Sequence, residues 1–141
     1  MEMTNLTIDD AETYLRQLAA ELTDPRPGEC LFCYVYRMLE HGCTGLRWAL
    51  RYRDLRAPRA TALQRRLGQV GGFCDCEIFL NGYDLRPKYL RRSPGYAVVN
   101  GMLTYSEPMY PTPMPDCLGV GRGSTRPCGL WIRRPRGLRA Y

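Results

Sequence analysis

The seven cysteines are the residues best placed to do chemistry, and they are unevenly spaced. Cys30 and Cys33 form a C-x-x-C pair, and Cys74 and Cys76 form a C-x-C pair. Cys43, Cys117 and Cys128 stand apart, with His41 two positions before Cys43. On a helix or its entry turn, positions i and i+3 share a face, so Cys30 and Cys33 can present their sulfurs together. In extended backbone, i and i+2 point the same way, which would do the same for Cys74 and Cys76. Two such pairs make a tetrahedral four-thiolate site, the donor set that soft ligands offer to zinc. The expected cofactor is therefore a structural Zn2+ held by Cys30, Cys33, Cys74 and Cys76. Closing the loop between the pairs would clip the intervening helices together.

Rival readings attach to the same residues. Free cysteines also serve as small core hydrophobes, and C-x-x-C is also a redox motif, although that reading needs a βαβ setting that this region lacks. His41 and Cys43 are alternative metal ligands. His41 also reads as an exposed residue at a helix C-terminus, where imidazole is favourable. Cys117 and Cys128 are too few for a second site of their own and are expected to be unpaired tail thiols. Asp75 and Glu77 are expected to position the second cysteine pair. Arg37, Arg65 or Arg66 would then offset the negative charge of the thiolates.

Catalysis finds few of its usual parts. The chain has one histidine, no Gly-x-Ser-x-Gly and no P-loop. Four cysteine ligands leave no open position on a metal. The enzymatic option that remains is a three-ligand zinc with water and Glu77 as base.

The elements that must position these groups read as mainly α. A helix is expected over residues 7–23, with Thr7 as N-cap, Asp9 and Asp10 in the first turn, and Ile8, Ala11, Tyr14, Leu15, Leu18 and Leu22 at helical spacing. Asp24-Pro25-Arg26-Pro27-Gly28 ends it. A second helix is expected over 29–40, a third over 46–56, and a fourth from Pro58 to Val70, closed by Gly71-Gly72. The segment Phe73–Gly82 reads equally as strand, helical turn or metal knuckle. Tyr96–Val99 and Met102–Tyr105 flank Asn100-Gly101, the pattern of a tight β-hairpin. From Pro108 the chain is rich in proline, glycine and arginine. It is expected to be an irregular tail, partly disordered or wrapped on the surface.

The run Gly71-Gly72-Phe73-Cys74-Asp75-Cys76-Glu77-Ile78, followed by Asn81, resembles the signature of a bacterial family of small uncharacterised proteins, a domain of unknown function. Glu29-Cys30-Leu31-Phe32-Cys33 matches its upstream cysteine-containing helix more loosely. The resemblance covers roughly residues 28 to 84. It implies a metal-binding helical domain and brings no established activity. In many members the partner near the first cysteine looks like a histidine, where this chain has Cys33.

Composition sets the frame. At 141 residues the chain suits one domain with extensions, divided as an N-terminal helix and linker (1–27), a cysteine-rich metal-binding domain (28–86), a hairpin extension (87–107) and a tail (108–141). No apolar run would cross a bilayer, and the N-terminus does not read as a secretory signal, so a soluble cytoplasmic protein is expected. The net charge is +6, almost all from arginine, with Lys88 the single lysine. Solvated arginines explain this. So does a polyanion footprint in which Arg51, Arg53, Arg56, Arg91 and Arg92, interleaved with aromatics, contact RNA or DNA. The functional expectation is a structural-zinc binding or regulatory module for a protein partner, responsive to zinc or to oxidation. The alternative is a basic nucleic-acid- or ribosome-associated zinc protein.

Overall fold

The computed structural model describes residues 7–91, 96–105 and 108–135. Among them the chain is mainly helical, with two small antiparallel strand pairs. Helix α1 (Ile8–Thr23) opens with a capping box. The Thr7 hydroxyl oxygen accepts the Asp10 amide at 3.2 Å, and the Asp10 carboxylate accepts the Thr7 amide at 3.2 Å. No residue of α1 is buried. The helix is tied to the body at its C-terminal end. There the Tyr34 hydroxyl donates to the Thr23 carbonyl at 2.6 Å and Arg51 pairs with Asp24 at 2.7 Å.

Helix α2 (Leu31–Met38) is shorter than the expected 29–40 because Cys30 is its N-cap and a 3-10 turn, Leu39–His41, follows it. Its apolar spacing buries Leu31, Phe32, Tyr34, Val35 and Met38. Helix α3 (Arg47–Arg56) packs on α2 and buries Trp48, Ala49 and Tyr52. Helix α4 is confined to Leu63–Gln69 and buries Leu63 and Leu67. Residues 57–62 form successive turns instead, through Ala60 N to Ala57 O at 2.9 Å and Leu63 N to Ala60 O at 3.1 Å.

Gly71 has φ +83°, and a Cβ there would sit 2.8 Å from that of Asn81. Gly72 is needed for room instead, since its Cβ would lie 3.0 Å from Ile78 and 3.2 Å from the Leu67 carbonyl. The ambiguous segment that follows is a helical turn, α5 (Asp75–Glu77), running into a π-helical turn, Ile78–Gly82. Strand β1 (Tyr83–Leu85) pairs antiparallel with β4 (Trp131–Arg133), with Leu85 opposite Trp131. Strands β2 (Tyr96–Val99) and β3 (Met102–Tyr105) form the expected hairpin. Asn100 (φ 53°) and Gly101 (φ 77°) both take the left-handed conformation its turn requires.

The tail corrects the expectation of a peripheral extension. It is irregular from residue 110 to 130, yet Cys128, Leu130 and Trp131 belong to the core with α2 and α3. Trp131 packs against Phe79, Tyr36 and Tyr110 at ring centroid distances of 5.0, 5.7 and 6.2 Å. Backbone bonds stitch the tail in place: Val120 N to Gly28 O at 3.0 Å, Arg86 N to Leu130 O at 2.8 Å and Arg134 N to Gly82 O at 2.9 Å. The tail's large side chains, Leu130 and Trp131, complete the core that the short helices begin.

Candidate metal centre

Four cysteines converge where the tail crosses the start of α2. The sulfurs of Cys30, Cys33, Cys117 and Cys128 all lie within 4.8 Å of one another. Cys30 and Cys33 are the N-cap and first turn of α2, so the i, i+3 relation brings their sulfurs together. The tail delivers the other two.

Cys33 and Cys128 sulfurs are 3.7 Å apart. A disulfide bond measures about 2.05 Å. A zinc–sulfur bond of about 2.3 Å in a tetrahedron separates its sulfurs by about 3.8 Å. The spacing therefore suits ligands of one cation better than a covalent pair.

The surroundings donate to these sulfurs. The Cys33 amide donates to Cys30 Sγ at 3.3 Å, the Cys30 amide to Cys117 Sγ at 3.2 Å and the Gly119 amide to Cys117 Sγ at 3.4 Å. The Trp131 indole N–H donates to Cys33 Sγ at 3.3 Å. Such donors stabilise sulfur as thiolate, the form that binds metal. The neighbouring Cys33 side chain is the largest influence on Cys30, which is lowered to about 5, while the same interaction and burial push Cys33 up. Burial raises Cys128 to about 11. The group thus shares its protons unequally, and a divalent cation would displace those that remain.

Of the expected ligands, the structure brings Cys30 and Cys33 into this group, and in place of Cys74 and Cys76 it brings Cys117 and Cys128. The reason lies in α5. Only Cys74 is extended; Cys76 is inside a helical turn, where positions i and i+2 diverge rather than align. The turn is fixed by Asp75, which is fully buried. Its carboxylate accepts the amides of Trp48 at 2.9 Å and Ala49 at 3.1 Å, capping α3, whose own N-cap Leu46 has no side-chain acceptor. Burial still pushes the Asp75 carboxyl above its ordinary range, with the two amides opposing.

Cys43 is exposed, and its sulfur accepts the Cys76 amide at 3.4 Å. His41 lies outside the four-sulfur group, 3.4 Å from Glu40 and with its ring centroid 5.9 Å from that of Trp48. The expected charge-balancing Arg37 is engaged elsewhere, gripping Glu29 at 2.8 Å and the Asp24 carbonyl at 3.2 Å. Arg66 donates to Thr125 at 3.1 Å.

Three of the arginines expected to meet nucleic acid bond within the chain through their side chains. Arg51 holds Asp24, Arg53 pairs with Asp54 at 3.1 Å, and Arg56 donates to the Pro25 carbonyl at 2.9 Å. Arg91 forms a backbone bridge with Met109. Arg92 lies outside the described residues.

Residues 31–81 match a family model described as Protein of unknown function (DUF2695). No curated protein and no solved structure matches the chain. The DUF2695 match runs from the start of α2 to the π-helical turn and includes Cys33, Cys43, Cys74 and Cys76. Cys30, Cys117 and Cys128 lie outside it.

The sequence did hold a signal for the two tail cysteines: glycine close behind each, in Cys117-Leu118-Gly119 and Cys128-Gly129. Gly119 has φ +87°, and its amide turns back onto the preceding sulfur. A Cβ at Gly129 would lie 2.9 Å from the tip of the Leu118 side chain.

Proposed function

We propose that the chain is a structural-zinc binding module in which Cys30, Cys33, Cys117 and Cys128 hold one cation and so fasten the tail to the helices. The convergence of four sulfurs carries this reading. Four thiolates favour zinc over harder ions and leave no position for substrate, so the metal acts on the fold. The separation between Cys33 and Cys117 makes the closed loop long, which increases what the link contributes.

A protein partner is the occupant that suits the exposed apolar surfaces. Ile8, Leu15, Leu18 and Leu22 line one side of α1 and are exposed, as are Val98, Val99, Met102 and Leu103 of the hairpin. An amphipathic helix tied to the body at its C-terminal end can enter a partner's apolar groove. No described helix is long and apolar enough to cross a membrane.

Two measurements test the proposal. Elemental analysis of protein purified under reducing conditions should find close to stoichiometric zinc, and metal-free protein would overturn the central claim. Leu15→Glu with Leu18→Glu should leave folding intact and abolish recovery of partners from a native lysate. Undiminished recovery would remove α1 as the docking element.

A further inference from the structure

Three thiols remain outside the four-sulfur group, on two segments that hydrogen bonds hold together. Cys43 is exposed just after the 3-10 turn, and its sulfur accepts the Cys76 amide. Cys74 is half-buried at the N-cap of α5, and its thiol donates to Glu77 Oε1 at 3.6 Å. Glu77 is oriented in turn by the Asn81 side-chain amide, which donates to Oε2 at 3.4 Å.

Burial holds the Cys74 thiol above its ordinary value. The Glu77 backbone opposes this, and the neighbouring Cys43 adds to it. The segments carrying Cys43 and Cys74 are locked together. The Asp75 amide donates to the Gly45 carbonyl at 2.8 Å, while the Asp75 carboxylate caps α3 immediately beyond. The Cys43 sulfur is therefore held against the first turn of α5, whose N-cap is Cys74.

We propose that Cys43 and Cys74 form an oxidant-reactive dithiol that closes to a disulfide when a hydroperoxide oxidises Cys43. Exposure makes Cys43 the sulfur that meets oxidant, and the Cys76 amide stabilises negative charge on it. Its thiolate attacks the peroxide oxygen, an S–O bond forms, the O–O bond breaks, and the alkoxide or hydroxide leaves as alcohol or water with a proton. The product is a sulfenic acid at Cys43. The Cys74 sulfur then attacks it, the S–S bond forms, the S–O bond breaks, and hydroxide leaves as water. The proton lost by Cys74 passes to the Glu77 carboxylate that already accepts it, and from there to solvent. In sum, two thiols lose two hydrogens and one hydroperoxide becomes alcohol and water. Cys76 contributes its amide, while its own sulfur sits in the helical turn. The inference does not depend on a metal at the other four cysteines.

The test uses the reduced full-length protein, metal content measured, exposed to a small excess of hydrogen peroxide and digested with trypsin. The expected product joins the peptides Met38–Arg47 and Leu67–Lys88 and is two hydrogens lighter than their sum. Cleavage before Asp75 should place the bond on Cys74. Cys43→Ser and Cys74→Ser should each abolish it, while Cys76→Ser should not. In Cys74→Ser, dimedone should trap Cys43 sulfenic acid several-fold more than in the parent, and Glu77→Gln should slow closure with the fold unchanged by circular dichroism. A bond to Cys76, oxidation of Cys43 with Cys74 left free, or oxidation confined to the other four cysteines would each overturn the proposal. Absence of metal from the starting protein would bear on the zinc reading alone.

Discussion

The backbone amide of Cys30 donates to the Cys117 sulfur at 3.2 Å, joining residues 87 positions apart. The bond seats a tail thiol at the start of α2 and orients it toward three other sulfurs. Loss of an outer-sphere partner typically costs a metal site about 10–100-fold in affinity, and loss of a ligand costs more. Cys117→Ser and Cys128→Ser should therefore each weaken zinc binding by more than about 100-fold. Cys74→Ser should leave it unchanged. Competition with a chromophoric chelator reads both, and an equal loss in Cys74→Ser would return that residue to the site.

Trp131 tests the outer sphere. Its indole donates to Cys33 at 3.3 Å while the ring fills the core at 1 % exposure. Trp131→Phe keeps most of the apolar contact and removes the donor. Zinc affinity should fall by about tenfold, with the fold retained. Chelator competition alongside a denaturation curve separates the two effects.

Asp75 accepts two buried amides at the start of α3. Asp75→Ala should destabilise the protein by about 2–4 kcal/mol, since both donors lose their partner in a site water does not reach. Asp75→Asn keeps one acceptor oxygen and should recover part of the loss. Urea midpoints for the three proteins measure this.

Alkaline sensitivity should centre on buried phenols. Tyr52 donates to the Glu29 carbonyl at 2.8 Å, and burial first, then negative charge on Cys30 and Cys117, pushes it up from 10.0 to about 12. Between those values the folded state keeps a proton that the unfolded chain has lost. The contribution is thus intact below about 10 and declines as pH rises toward 12. Tyr52→Phe should flatten that decline, as followed by denaturant midpoints and tyrosinate absorbance.

Local chemistry made much of the helical frame readable. Thr7 with Asp10, the apolar spacing of α2 and Asn100-Gly101 each act over a few residues, and each appears where it was expected. The partner of the C-x-x-C pair was less accessible. Choosing between Cys74/Cys76 and Cys117/Cys128 depends on whether Cys76 is extended or helical, and that follows from Asp75 capping a helix 26 residues away. Proline and glycine in the tail suggested a loose segment. They instead serve an irregular path that must end with Trp131 in the core, a requirement set by the other side of the molecule.

The order in which the cysteines are translated gives the site a temporal character. Cys30 and Cys33 leave the ribosome long before Cys117 and Cys128, so a nascent chain presents half a cage for most of its synthesis. On the four-sulfur reading, a firmly held ion certifies that the later segment has been made and has found its place. Chains interrupted before Cys128 would carry the helices without that certificate, and would be the ones most readily cleared by proteases.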